Sequence, residues 1–361
     1  MENLGINKIL KEFYKGKTVL LTGATGFKGS WLTYWLAEMG ANVIGYSLAP
    51  LTNEDHFNLL GLNNRINHIE ADILDAQKLR EVFESHQPEI VFHMAAQALV
   101  RFSYDEPKLT FDTNVAGSVN VLEAIRCTKS VRSLVYVTSD KAYKNKEWNW
   151  GYRENDELGG HDPYSASKAA AEILFSSYND SFFSKNDSIG VGTVRAGNVI
   201  GGGDWALDRI IPDCIKSLRV NQPIVIRNPH ATRPWQHVLE PLSGYLLLGV
   251  RLYEDPKKYS GAWNFGPHIK SIKTVKELAD KVISVFGKGE VDIQFDKNAN
   301  HEASILHLNC DKSNTKLNWY PTWDFDATIE RTVNWYLGHL NGEKPESLTM
   351  SDINNFLNEN K

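Results

Sequence analysis

The stretch TVLLTGATGFKG, residues 18–29, decides how the rest of the chain is read. Val19, Leu20 and Leu21 form a short apolar run of strand type that ends at Thr22. Gly23, Gly26 and Gly29 follow at GxxGxxG spacing. Beyond them Trp31, Leu32, Trp35 and Leu36 recur at helical spacing, which predicts a helix over about 30–39. A turn this tight needs a residue free to adopt positive φ. Close backbone approach to a pyrophosphate also excludes a Cβ, and a helix N-terminus offers free N–H groups and partial positive charge to phosphates. Glycine-rich loops without a ligand share the glycines. The strand before and the helix after are the context that a dinucleotide turn requires. Gly23, Thr25, Gly26, Phe27, Lys28 and Gly29 are therefore candidate cofactor-binding residues.

Outward from this turn, the pattern repeats. Strands are predicted over 41–48, 65–72, 90–94, 133–138 and 190–195, alternating with helices over 76–85, 112–129 and 162–178. Such alternation implies parallel pairing through right-handed crossovers. The expected fold is α/β, a doubly wound parallel Rossmann sheet with a smaller C-terminal α/β substrate lobe. Residues 1–198 would form the dinucleotide-binding domain and 199–361 the substrate lobe, with later segments able to return to the sheet. Helices over 209–221, 274–286 and 326–340 belong to the second part, and the polar tail beyond Asn341 reads as partly mobile. Ligands of these sheets sit beyond the carboxyl ends of the strands. Gly23, Asp72, Ala95 and the run VTSDKAY (137–143) all lie at such ends.

Composition narrows the class. Of 361 residues, 42% are hydrophobic and 23% charged, the net charge is −5, and Lys and Arg are dispersed. That argues for a soluble globular protein without a nucleic-acid footprint. No apolar run approaches the about 18 residues of a membrane span. The N-terminal stretch lacks a signal-peptide core and reads as a short amphipathic helix with Leu4, Ile9, Leu10 and Phe13 near one face. Cys127, Cys214 and Cys310 form no CxxC pair, which fits a reduced, cytoplasmic setting. His301 and His307 lack metal-ligand spacing, so no metal is expected.

The second strand ends Gly45-Tyr46-Ser47-Leu48, without the acid that commonly bonds the adenosine ribose. No Arg or Lys follows until Arg65, so nothing invites a 2′-phosphate, and NAD is favoured over NADP. Asp72 and Ile73 could meet the adenine edge; Asp72 could equally cap a helix.

Tyr164-Ser165-Ala166-Ser167-Lys168 places a phenol and an amine four residues apart, on one helical face. An ammonium beside a phenol is expected to lower its pKa, so that the phenolate can take a proton from a sugar hydroxyl. A solvated helical face would show the same spacing by chance.

GATGFKG, His93-Met94-Ala95-Ala96-Gln97, Thr113-Asn114-Val115-Ala116-Gly117 and YSASK together resemble the extended short-chain dehydrogenases/reductases that act on nucleotide sugars. The resemblance implies that Ala95, Ala96 and Gln97 border the cofactor, that the helix bearing Asn114 packs near the active site, and that the C-terminal lobe binds the nucleotide diphosphate. Ser139-Asp140-Lys141 resembles the Thr-Asp-Glu run of the nucleotide-sugar 4,6-dehydratases, with Lys in place of the Glu that takes the C5 proton. Asp140 would protonate the departing 6-hydroxyl. Lys141 would be the C5 base, or a cation that stabilises the developing enolate, or simply a salt-bridge partner. Lys141, TGFKGSWL and Gly201-Gly202-Gly203-Asp204-Trp205 are similar to the members that take CDP-glucose, and no physical property of these residues selects the base. The catalytic set implied is Ser139, Asp140, Lys141, Tyr164 and Lys168.

Ser139 and Asn198 are candidate sugar and phosphate contacts. Arg209 and Arg233 are candidate diphosphate clamps, since guanidinium forks suit phosphate oxygens, although each could be a surface ion pair. A 4-epimerase or 4-reductase would use Tyr164 and Lys168 without needing Asp140, and a non-catalytic dinucleotide-binding regulator would need neither. The resemblance further implies a homodimer or homotetramer built on the 112–129 and 162–178 helices, and a product feeding deoxyhexose synthesis for lipopolysaccharide O-antigen.

Overall fold

The computed structural model describes residues 6–206, 208–294 and 305–360. Seven parallel strands form one sheet: β1 (Thr18–Thr22), β2 (Asn42–Ser47), β3 (Asn67–Glu70), β4 (Ile90–His93), β5 (Ser133–Val137), β6 (Gly190–Ala196) and β7 (Gly261–Phe265). Their order is β7-β6-β5-β4-β1-β2-β3, which reverses direction between β1 and β4. That reversal opens a crevice at the carboxyl edge, the usual ligand position in such sheets.

Alternation within each strand divides the core into two layers. Val19 and Leu21 of β1, Ile90 and Phe92 of β4, and Val135 and Val137 of β5 face one side. Leu20, Val91, Leu134 and Tyr136 face the other. The first side is covered by the helices Ile6–Tyr14, Phe27–Glu38, Leu239–Glu254 and Phe325–Leu340. The second is covered by Ala76–His86, Ser118–Cys127 and Pro163–Ser181. Strands buried on both faces read as nearly continuous apolar runs, as β1, β4 and β5 do; buried polar exceptions such as His93 of β4, Thr193 and Arg195 of β6 and Asn264 of β7 are hydrogen-bonded within the protein.

The chain returns to the sheet after residue 199. The Leu239–Glu254 helix lies under it, with Ser133 Oγ donating to Gly249 O at 2.9 Å and Tyr14 OH to Leu246 O at 2.8 Å. Strand β7 then pairs with β6. The remaining strands of this half are short pairs: Val199–Ile200 with Gln236–His237, Thr232–Pro234 with Ile272–Thr274, and Ile224–Ile226 with Val291–Ile293.

Three expectations change. The helix after the glycine turn begins at Phe27 rather than near Ser30, because Gly26 is extended (φ −69°, ψ 165°) and caps it, so Lys28 lies in its first turn. The predicted 112–129 helix opens with a wide π-helical turn, Asp112–Gly117, and ends at Cys127, where Thr128 becomes extended. The tail is not loose: Pro345–Glu359 is a helix whose Thr349, Ile353 and Phe356 are buried. Its polar composition hides this face, which recurs at i, i+4 and i+7. Phe356 packs edge-on to Trp323 with ring centroids 5.2 Å apart. Leu4 and His301 lie outside the described residues.

The three glycines of the turn have different reasons. Gly23 has φ +76°, and a Cβ there would stand 2.8 Å from Ala95 N. A Cβ on Gly29 would stand 2.0 Å from Gly23 O. A Cβ on Gly26 would meet nothing closer than 3.5 Å. Gly29→Ala should therefore lower the urea-unfolding free energy by about 1–3 kcal/mol, and Gly23→Ala by a similar amount, whereas Gly26→Ala should leave the unfolding midpoint unchanged.

Candidate active site

Four strand ends and one helix converge on the crevice. The turn after β1 packs against the end of β4: Thr22 Oγ1 accepts from Met94 N at 3.1 Å and Ala95 N at 3.2 Å. With those donors satisfied, the Thr22 hydroxyl donates to His93 Nδ1 at 2.7 Å, and His93 Nε2–H donates to Ser118 Oγ at 3.0 Å. This assigns the Nε2–H tautomer from the network. His93 is fully buried, and burial pushes its pKa down to about 3, so it is neutral.

Asn114 sits in the π-helical turn, 2% exposed. Its Oδ1 accepts from Gln97 N at 2.8 Å, and its Nδ2 donates to Gln97 O at 3.0 Å and to Ser167 Oγ at 2.8 Å. The side chain thus locks the Ala95–Gln97 segment to the Pro163–Ser181 helix. The Gln97 amide is likewise engaged within the protein, donating to Leu99 O and Thr110 Oγ1.

That helix is started by Asp162, which accepts from Ser165 N at 2.9 Å, with Pro163 in its first turn. Tyr164 is 8% exposed and Lys168, one turn on, 4%. Strand β5 ends in Thr138 and Ser139, and a single 3₁₀ turn, Asp140–Ala142, follows. Ser139 Oγ donates to Asp140 Oδ1 at 3.1 Å and accepts from Lys141 N at 3.2 Å. Asp140 is 5% exposed, and a Cβ on Gly197 would stand 3.0 Å from both Asp140 Oδ2 and Pro234 Cγ. The glycine after β6 thus makes room for the carboxyl.

Burial acts in opposite directions on the acid and the amines. It raises the Asp140 carboxyl, against the pull of Lys141, the Ser139 hydroxyl, the Lys141 N–H and Lys28. It lowers Lys168 to about 7, helped by Lys28 and opposed by Glu172. It lowers Lys28 to about 8, helped by Arg209 and opposed by Asp140. Lys28 is therefore a neighbour of the acid and of Lys168, not only a member of the turn. The expected lowering of the phenol does not occur: burial raises Tyr164 to about 12, and the Ser139 hydrogen bond and Arg209 only partly offset it.

The other sequence candidates fall at several depths. Thr25 Oγ1 donates to Leu48 O at 3.0 Å, tying the turn to the tip of β2. Asp72 Oδ1 accepts from Leu74 N at 2.9 Å, while Asp75 caps the next helix. The Ile73 side chain is buried against Gly117, so at most its backbone faces the crevice. Ala95 and Ala96 line the edge, partly exposed. Asn198 accepts from Gln236 N through its carbonyl at 3.1 Å. Arg209 Nη1 donates to the buried Asp204 at 2.8 Å while a third of its side chain stays open. Arg233 Nη1 donates to Thr232 O at 2.9 Å, beside the Pro234 that packs near Asp140. Gly201–Gly203 make space for rings: a Cβ on Gly202 would collide with Trp335, and Trp31 Nε1 donates to Gly202 O at 2.9 Å.

Sequence reasoning passed over Glu172. It is 3% exposed, and its carboxylate takes the Arg195 fork, Nε at 2.8 Å and Nη2 at 2.7 Å. Its position four residues beyond Lys168 was the available signal. Among the described residues no cluster of His, Cys, Asp or Glu could hold a metal, and no helix is long and apolar enough to cross a membrane. Gly26 is the one glycine of the turn that is exposed, with room over it that a Cβ would take; that fits a pyrophosphate lying on the helix N-terminus.

The fold is that of the open parallel sheets that bind dinucleotides at the switch in strand order, with Tyr164 and Lys168 buried one helical turn apart. The chain belongs to the GDP-mannose 4,6 dehydratase family, whose profile matches residues 20–332. It is 46% identical over 351 residues to the CDP-glucose 4,6-dehydratase of Salmonella typhimurium, covering 96% of this chain and 98% of that protein. Among solved structures it is similar to an epimerase of Methanothermobacter thermautotrophicus, with TM-score 0.81 and 26% identity, covering 94% of this chain and 98% of that one. It is also similar to the dTDP-glucose 4,6-dehydratase of Bacillus anthracis in complex with NAD, with TM-score 0.75 and 22% identity over 92% of this chain and all of that one.

The bonds of Asn114 give a direct check on this geometry. Asn114→Leu should leave Gln97 N–H and Ser167 Oγ short of a partner and lower the unfolding free energy by about 1–3 kcal/mol in urea.

Proposed function

We propose that the protein converts CDP-glucose to CDP-4-keto-6-deoxyglucose and water, with NAD as its cofactor. One observation carries this reading: the carboxyl of Asp140 is buried and raised toward its protonated form, close to the phenol of Tyr164. An epimerase or a reductase has use for Tyr164 and Lys168 alone. A carboxyl enclosed beside them, whose burial favours the protonated form, suits a reaction in which a hydroxyl must depart as water. The 46% identity to a protein named CDP-glucose 4,6-dehydratase supports the choice of nucleotide.

The turn from Gly23 to Gly29 and the Ala95–Gln97 edge would hold NAD, and Lys168 would reach its nicotinamide ribose. When bound, NAD supplies the two-electron acceptor for C4 and the donor for C6. Tyr164 takes the O4 proton, assisted by the Ser139 hydroxyl and by the positive charge of Arg209. The C4 ketone acidifies the C5 proton, which a base other than Lys141 takes from the sugar and returns to C5 once C6 is reduced. Asp140 gives its proton to O6 as the C6–O bond breaks. Lys141 acts as a cation beside the developing enolate, and Arg209, Arg233 and Asn198 receive the diphosphate. We read residues 1–198 as the dinucleotide half and 199–361 as the sugar-nucleotide half, with part of the latter lent back to the sheet. The setting is cytoplasmic, and the product feeds deoxyhexose synthesis for O-antigen.

Incubation with CDP-, dTDP-, UDP- and GDP-glucose tests the reading by product mass. CDP-glucose should lose one water fastest, and an unchanged mass with inversion at C4 would replace this function by epimerisation. Asp140→Asn should slow water loss by roughly 10²-fold or more, while pre-steady-state C4 oxidation changes little. In the same assay Lys141→Arg should keep most of the activity that Lys141→Gln loses; equal losses would assign Lys141 as the base.

Self-association is supported by exposed apolar side chains on adjacent helices: Leu109 and Phe111 beside the Pro163–Ser181 helix, which exposes Ile173 at 60%. Sedimentation should give a dimer or tetramer that Ile173→Glu weakens; a monomeric wild type would refute it.

A further inference from the structure

The Glu172 carboxylate is bonded on every side by protein. Besides the Arg195 fork, Oε2 accepts from Thr193 Oγ1 at 2.9 Å, and Oε1 accepts a short bond from Thr138 Oγ1. Arg195 in turn donates from Nη1 to Tyr143 OH at 2.6 Å and to Glu154 O at 3.1 Å. Its guanidinium lies over the Tyr143 ring, 4.7 Å from the centroid. Tyr143 OH in turn donates to Asn264 Oδ1 of β7 at 2.8 Å. The ion-paired side chains are 3% and 2% exposed.

This arrangement has a consequence for the chemistry. Thr138 and Tyr143 flank Ser139-Asp140-Lys141-Ala142. One end of that run is bonded to Glu172 and the other to Arg195, so a single buried ion pair grips the acid-bearing tip from both sides. The same carboxylate stands one helical turn beyond Lys168 on the helix that carries Tyr164. A buried ion pair is a weak source of stability, because desolvation offsets its attraction. It is well suited to setting register, since each of its bonds is directional.

We infer that Glu172 and Arg195 are positioning residues: their ion pair holds the Ser139-Asp140-Lys141 tip in register with the Tyr164–Lys168 helix, and Glu172 is the internal counter-charge of Lys168. Lys168 faces Lys28 from the Phe27–Glu38 helix, neutral His93 from β4, and Glu172 from its own helix, with the Tyr136 hydroxyl of β5 near the same carboxylate. Glu172 is the anion of that set, and it opposes the downward pull of burial and Lys28. This inference rests on the proposed roles of Tyr164, Lys168 and Asp140.

Two measurements test it. The first is the titration of Lys168 in the protein without added nucleotide, followed by ¹³Cε NMR, with the resonance assigned by its loss in Lys168→Met. Glu172→Gln should lower the Lys168 midpoint by roughly one unit or more. The double variant Glu172→Gln/Arg195→Met should lower it by less, because the unpaired guanidinium is gone too. A midpoint unmoved by Glu172→Gln, or a double variant shifted as far as the single, overturns the counter-charge. The second measurement uses variants that keep both charges. Thr138→Val and Tyr143→Phe should each slow water loss from CDP-glucose by about 10-fold or more, with C4 oxidation and the Lys168 titration unmoved. Equal slowing of both steps overturns the register role. A wild type that turns over no nucleotide sugar, yet shows the NMR shifts, refutes the proposed function and leaves the counter-charge standing.

Discussion

The crevice depends on one contact between backbones. The turn after β1 and the end of β4 approach so closely that a Cβ on Gly23 would stand 2.8 Å from Ala95 N and 2.9 Å from its Cα. Thr22 closes the gap by accepting both N–H groups that β4 presents there. Because β1 and β4 flank the reversal in strand order, this contact sets the width of the opening. Everything delivered to the crevice is measured from it: the helix that starts at Phe27, the Ala95–Gln97 edge, and, through Asn114, the helix of Tyr164 and Lys168.

One physical cause tunes unlike groups in the crevice. Removal from water penalises whichever form is charged. It pushes Asp140 toward the protonated acid and Lys168 and Lys28 toward the neutral amine. It also raises Tyr164, so the Ser139 hydroxyl and Arg209 matter as the groups that favour the phenolate. The charges are not left alone in this dry region. Asp204 accompanies Arg209, Glu172 accompanies Arg195, and Lys141 and Lys28 act on Asp140. Position within a chain of partners, more than any single side chain, gives each group its state.

Much of this was legible along the chain. Strands buried on both faces are apolar runs, and residues four apart on a helix share a face, so β1, the glycine turn, and Tyr164 with Lys168 could be read from spacing. What failed to show had local reasons. The 345–359 helix buries four residues, Thr349, Asp352, Ile353 and Phe356, two of them polar, in a polar segment. The π-helical turn at 112–117 leaves the helical periodicity nearly intact. Asn114, placed near the active site by resemblance, and Ile73, placed at the adenine edge by its position after β3, turn their side chains into the protein.

By itself the sequence determined six of the seven strands, the glycine turn, the phenol–amine pair and the acid at the tip of β5, because each depends on residues within a few positions of one another; the seventh strand, Gly261–Phe265, was not legible. Only the tertiary structure decided that Gly197 makes room for the Asp140 carboxyl, that Lys28 faces both the acid and Lys168, and that Glu172 and Arg195 bind the tip of β5 to the Tyr164 helix. Those relations join residues dozens of positions apart. They arise from which strand ends become neighbours and from how much water is excluded between them, and no local pattern encodes either quantity.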